Sequence, residues 1–261
     1  MPGVHPATLA RAAAEHNVGM GTLHLVRHGQ ASFGAADYDQ LSELGARQCQ
    51  ALGRHFAARG LVFEAVLHGT LRRHRQSLDG IQAGYVNALP SAQAWPALNE
   101  YDHEALVRAL PQTASEPATQ AATQAATQAA TDSPTDARSP ERYRRHFRLL
   151  REGMAAWMAG TTAPAGMPSW PAWLAGIEAA LDHVRSRHQG DVLLVSSGGP
   201  IATAVAQVLG APSASVIDLN LRIRNSSVTE LAYTPKRHML HTFNQLPHLE
   251  GAACADWVTY S

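Results

Sequence analysis

The run Asp191–Ser196 (DVLLVS) leads without a break into Ser197-Gly198-Gly199-Pro200 and a helix-patterned stretch, Ile201–Leu209. A strand with no polar face must be covered on both sides, the situation of an inner parallel strand in an α/β sheet. The glycine turn that follows lets the chain pass tightly from strand to helix. The same habit recurs upstream: Thr22–Val26 is a β-rich run that stops at Arg27-His28-Gly29, and Phe63–Leu67 reads as a buried strand that stops at His68-Gly69.

Helical patterns separate these strands. Ser42 can cap a helix in which Gly45, Cys49, Leu52 and Phe56 share one face, with Gly60 ending it. Leu71 to about Val86 is a second helical stretch, arginine-rich at its start, and Ala92–Trp95 weakly signals a third strand. From Glu141, the residues Tyr143, Phe147, Leu150, Met154 and Trp157 form an apolar stripe. Arg142, Arg144, Arg145, Arg148 and Arg151 then make a solvated face. Trp170, Trp173, Ile177, Leu181 and Val184 make another stripe, whose tryptophans read as packing. Val216–Leu219, Ser227–Tyr233 and Met239–Phe243 read as further strands. The pattern is that of a doubly wound, mostly parallel α/β sheet with helices on both faces. Ligands in such sheets sit beyond the carboxyl ends of the strands, where Arg27-His28, His68-Gly69 and Ser197-Gly198 converge.

The chain has 261 residues, which suits one domain over residues 21–261 with an inserted cap at about 100–165. Within that cap, residues 111–140 are low in complexity, with three tandem T-Q-A-A units and too few large apolar residues to offset their ordering entropy. Residues 1–20 read as an arm that the domain can do without, and lack the basic start and apolar run of a secretory signal. Lys+Arg (21) equals Asp+Glu (21), which argues against nucleic acid or an anionic membrane as the main partner. No stretch is long and apolar enough to span a membrane. The two cysteines, Cys49 and Cys254, form no disulfide framework and read as reduced thiols, which predicts a cytoplasmic protein.

Four blocks carry chemistry: LVRHGQAS (Leu25–Ser32), GTLRRHRQS (Gly69–Ser77), ALNEYD (Ala97–Asp102) and VSSGGPI (Val195–Ile201). In this order, each at a strand end or turn, they resemble the histidine phosphatase superfamily, also called phosphoglycerate mutase-like. The resemblance covers the chain from Gly21 onward apart from the low-complexity insertion. It implies a metal-independent phosphomonoester hydrolase without a cofactor, working through a phosphohistidine on His28. A neutral imidazole can attack phosphorus in line, while Arg27 and Arg73 offer planar forks to the phosphoryl oxygens. Gly29, Ser197 and Gly198 would add phosphate contacts, the last two where a helix N-terminus attracts anions. Glu100 is similar to the family's acidic residue, which protonates the leaving oxygen and then takes a proton from water; Asp102 and Glu104 compete for that role. Arg72 reads as solvated.

Two departures stand out. The family pattern S-H-G-G here reads Ser196-Ser197-Gly198-Gly199, so the second active-site histidine is replaced by serine, which can donate a hydrogen bond but carry no charge. His68 is a candidate substitute, beside Gly69 where the family often has serine; the alternative is an ordinary hydrogen-bonded histidine. Gly34 stands where many members have asparagine, and Asn225 is a structural match. His24 shares a strand face with His28 without a carboxylate in register, and His238 and His241 lie on a late strand, so no metal site is expected. Ser197 lacks the G-x-S-x-G elbow of serine hydrolases. Phosphoglycerate mutase is the enzymatic alternative, against which the neutral insertion speaks. The other alternative is a catalytically weak member that binds phosphoesters or a phosphorylated protein. The expected partner is a small phosphorylated metabolite, with a phosphorylated protein as a second possibility.

Overall fold

The computed structural model describes residues 20–32, 39–111 and 140–260. The arm before Met20, position 34 and nearly all of the low-complexity stretch lie outside the described residues. Among the described residues, six strands form one sheet: β1 Gly21–Arg27, β2 Phe63–His68, β3 Ala92–Ala94, β4 Asp191–Ser196, β5 Val228–Thr234 and β6 Arg237–Gln245, in the order β3-β2-β4-β1-β5-β6. The first four run parallel. β5 is antiparallel to β1, and β6 to β5. The helices described with them are α1 Glu43–Ala58, α2 Arg72–Gly84, α3 His103–Arg108, α4 Pro140–Met158, α5 Trp170–Arg187, α6 Gly198–Leu209 and α7 Ala214–Asn220.

The apolar run of β4 sits between β1 and β2, and Val192 to Val195 are each at most 1% exposed. Its side chains feed two cores, one on each face of the sheet. Val192 and Leu194 join Leu23, Leu25 and Leu67 under α5 and α6, whereas Leu193 and Val195 join Val26 and Val66 under α1 and α2. This is the two-sided covering that a strand without a polar face requires. Local signals set the helix ends. Ser42 Oγ accepts from Gly45 N–H at 3.0 Å to start α1, and Gly60 adopts φ +66° after it. Ser169 caps α5, whose Trp170, Trp173, Ile177, Leu181 and Val184 are all buried.

Tryptophan donors are satisfied inside the first core. Trp173 Nε1 donates to Thr203 Oγ1 at 3.0 Å and Trp157 Nε1 to Pro168 O at 2.9 Å, and the Tyr101, Trp157, Trp170 and Trp173 rings pack at edge-on and tilted angles. On α4, Arg144, Arg148 and Arg151 are exposed while Leu150, Met154 and Trp157 are buried. Among the described residues, no helix is long and apolar enough to cross a membrane.

Two expectations are corrected. Val216–Leu219 lies in helix α7, not in a strand. Four consecutive residues have no period of their own, and a helix lets Val216 and Ile217 pack inward while Asn220 returns to donate to Tyr101 Oη at 2.5 Å. His24 does have carboxylates in register. The antiparallel pairing of β5 places Glu230 opposite it, with Glu230 Oε1 3.4 Å from Nδ1 and Asp191 Oδ1 3.6 Å from Nε2. Pairing between strands far apart in sequence carries no local signal.

Candidate active site

Strands β2, β4 and β1 end side by side, and the ladder holds their exits together: His28 N–H donates to Ser196 O at 2.9 Å, and Gly69 N–H to Val195 O at 3.1 Å. The blocks at Arg27, Gly69 and Ser197 therefore meet at one edge. His28 is 3% exposed, and its Nδ1 lies 2.7 Å from Gly29 O. A carbonyl can only accept, so Nδ1 carries the proton and Nε2 keeps its lone pair. Burial first, then the Arg27 and Arg73 guanidiniums, hold the imidazole well below the usual histidine range, and so neutral. Its loop is tied from behind, where Ser226 N–H and Asn225 Nδ2 both donate to His28 O.

The two arginines are buried and oriented by the protein. Arg27 Nη1 donates to Tyr260 O at 3.2 Å and to Ile223 O. Arg73, in the first turn of α2, donates from Nη1 to Asp39 Oδ1 at 2.8 Å, and the same carboxylate accepts from Arg72 N–H at 2.8 Å. Asp39 thus caps α2 from outside, where Leu71 has no side chain able to do so. The Arg72 side chain is exposed.

Glu100 reaches the start of α6. The Ser196 hydroxyl donates to Leu98 O at 2.7 Å and pins the preceding loop to the end of β4. Glu100 Oε2 then accepts from Gly199 N–H and Oε1 from Tyr101 N–H, both at 3.2 Å. A methyl group on Gly199 would overlap Oε1 and stand 2.5 Å and 2.8 Å from the Tyr101 ring, so only glycine fits there. Of the competing acids, Asp102 caps α3 through Ala105 N–H and Glu104 pairs with Arg108.

Other expected residues take different parts. The Gly29 N–H is committed to Ser77 Oγ at 3.0 Å and is not directed at a phosphate. What Gly29 provides is close packing, since a methyl group there would overlap Gly45 O of α1 and stand 2.9 Å from Cys49 Sγ. His68 Nδ1 is bonded to Gly69 O at 2.7 Å, and the histidine that touches Ser197 is His74, with Nε2 2.7 Å from Ser197 Oγ. Gly198 opens α6 beside Asn220 and Arg27. Sequence reasoning missed His74, Asp39 and His103, the last with a shielded Nε2 near Glu100 and Tyr101. His74 lies within the GTLRRHRQS block, which was the available signal; Asp39 and His103 had none.

Known proteins resemble this chain in family and in fold. The model of the histidine phosphatase superfamily (branch 1) matches residues 23–156 and 140–246. No curated protein matches the chain. Among solved structures, a phosphoglycerate mutase from Bacillus anthracis superposes with TM-score 0.57 at 16% identity, covering 90% of this chain and 97% of the other. A mycobacterial glucosyl-3-phosphoglycerate phosphatase gives 0.54 at 22% identity, covering 86% and 98%. A phosphoserine phosphatase from Entamoeba histolytica, in complex with 3-phosphoglyceric acid, gives 0.55 at 16%, covering 88% and 99%. These likenesses are of fold, and with the family match over most of its length the chain belongs to branch 1 of the histidine phosphatase superfamily.

Proposed function

We propose that the protein hydrolyses phosphomonoesters through a phosphohistidine on His28. The observation that carries this reading is the His28 imidazole, locked by Gly29 O into the tautomer with a lone pair at Nε2 and kept neutral beside Arg27 and Arg73. Nε2 forms a bond to phosphorus as the ester P–O bond breaks, and the departing oxygen takes a proton from Glu100. Water then attacks phosphorus, Glu100 takes back a proton, and the P–N bond breaks with His28 restored. The two arginines neutralise the equatorial oxygens, so positioning and electrostatics carry the catalysis and the scheme calls for no metal.

The substrate class is a small phosphorylated metabolite or a phosphorylated side chain of a protein. The test is hydrolysis of p-nitrophenyl phosphate and a panel of phosphomonoesters in the presence of EDTA by wild type and His28→Ala. The reading expects turnover that EDTA leaves unchanged and His28→Ala abolishes. Activity that persists in His28→Ala would overturn it. Net exchange of phosphate between positions of a phosphoglycerate, faster than release to water, would reassign the chain to mutase chemistry.

A further inference from the structure

Ser197 is placed where a capping residue belongs and does not cap. It is the N-cap of α6, with φ −112° and ψ 173°, and makes no side-chain capping bond. A serine there ordinarily accepts an N–H of the first turn. Its hydroxyl is turned instead to His74 Nε2, 2.7 Å away across 123 residues of sequence. Both residues are fully buried.

His74 comes from α2 and stands inside the site, its ring centroid 5.9 Å from that of His28. Room for it exists because residue 69 is glycine. A methyl group at Gly69 would overlap His74 Nδ1 and stand 2.6 Å from Cε1. Burial and the Arg73 charge push the His74 imidazole down to about 3, so it is neutral at working pH with a single N–H to give. Ser197 Oγ is the hydrogen-bond partner within reach of Nε2. Nδ1 faces the Gly69 carbonyl, a contact that partly offsets the downward push on the imidazole, but that carbonyl already bonds His68 Nδ1 at 2.7 Å and makes no well-aligned bond with His74 Nδ1. A buried N–H without a well-aligned acceptor is rarer than an unfilled lone pair, which favours the proton on Nε2, with Ser197 Oγ accepting it. The Ser197 hydroxyl then keeps its own hydrogen for a further acceptor.

We propose that His74 and Ser197 act as one unit in place of the second active-site histidine, His74 holding the Ser197 hydroxyl so that it donates to the phosphoryl group transferred at His28. The serine at 197, the histidine at 74 and the glycine at 69 then belong together: the imidazole sits on α2 and not at the start of α6, and the glycine leaves it room. Ser197 is the group that touches the phosphoryl oxygen. His74 is a positioning residue. No proton is transferred through the pair. This inference rests on the phosphohistidine reading of the site.

The test is a mutant cycle in the full-length protein with two readouts: kcat and KM for p-nitrophenyl phosphate, and affinity for orthovanadate by calorimetry. Circular dichroism and thermal unfolding check that each variant is folded. His74→Ala and Ser197→Ala are each expected to lower kcat by about 10²-fold, the usual loss of one transition-state donor, with KM little changed. The double variant is expected to lose the same about 10²-fold, because members of a unit are not additive. Ser197→His alone crowds His74 and is expected to lose activity, whereas Ser197→His combined with His74→Ala returns the imidazole to α6 and recovers activity. Vanadate affinity is expected to follow the same order. Losses that multiply in the double variant, or an exchange variant no better than His74→Ala, would overturn the proposal. A folded His74→Ala with wild-type kcat and vanadate affinity would do so too, leaving the phosphohistidine reading standing. A wild type that neither turns over nor binds vanadate would refute that reading itself, and this proposal with it.

Discussion

Replacing Gly199 by alanine separates the acid–base step from phosphate binding. The added methyl overlaps Glu100 Oε1 and comes within 2.5 Å of the buried Tyr101 ring, so the carboxyl must withdraw by on the order of 1 Å and give up its bond from Gly199 N–H. A misplacement of that size is worth about 10²-fold in rate. Arg27, Arg73 and His28 are held by other contacts, so affinity for orthovanadate should change little. The push on Tyr101 is an overpacking of about 1–3 kcal/mol, which in a chain of this size lowers Tm by roughly 2–12 °C. The decisive assay compares leaving groups. Nitrophenolate departs without a proton and an alkoxide does not, so kcat/KM of Gly199→Ala, which reports the steps up to departure of the leaving group, should fall by about 10²-fold on an alkyl phosphate and much less on p-nitrophenyl phosphate. Equal losses on both esters, in a folded variant, would refute Glu100 as the proton donor.

Three further outcomes follow from buried groups. With burial and two guanidiniums holding His28 well below 6.5, its nucleophilic form persists as pH falls, so kcat/KM measured from pH 5 to 8 should lack an acid limb with a midpoint near 6.5; such a limb, absent in a His28-independent control reaction, would contradict the assignment. Burial lowers the pKa of His24, but Asp191 and Glu230 outweigh it and the net value is raised, while Arg59 also pairs with Glu230. The charged His24 therefore stabilises the fold fully below about 6.5, and that contribution is lost as pH rises through the raised value. His24→Gln should accordingly destabilise more at pH 6 than at pH 8.5 by chemical denaturation, and a loss that grows with pH would be the opposite sign. Burial pushes the Cys49 thiol up to about 11, so iodoacetamide at pH 8 should label the half-exposed Cys254 first and leave Cys49 intact in the native protein, as read by peptide mass spectrometry.

The parts legible in the sequence are those whose signal is local. The run Val192–Val195, the Ser42 cap and the stripe from Trp170 to Val184 fall where their patterns put them, because burial on both faces, capping and helical period each act within a few residues. Strand ends carrying R-H-G and S-S-G-G then had to meet, since adjacent parallel strands bring their carboxyl ends to one edge. What was hidden depends on pairing at a distance. Glu230 meets His24 only through the register of β5 on β1, and Val216–Leu219 turns helical because the core takes Val216 and Ile217 from that geometry. The Ser197–His74 contact joins residues far apart in the chain, so neither the missing histidine nor its neighbour could reveal it alone. Asp39 caps α2 from a separate loop for the same reason.

The most direct measurement is rapid-quench trapping of the full-length protein with a phosphomonoester labelled in its phosphoryl group, followed by peptide mapping. The account predicts an acid-labile, base-stable phosphoryl group on the peptide carrying His28, formed faster than phosphate is released and absent in His28→Ala. No trapped label in a protein that turns over, or label on an acid-stable serine ester, would contradict it.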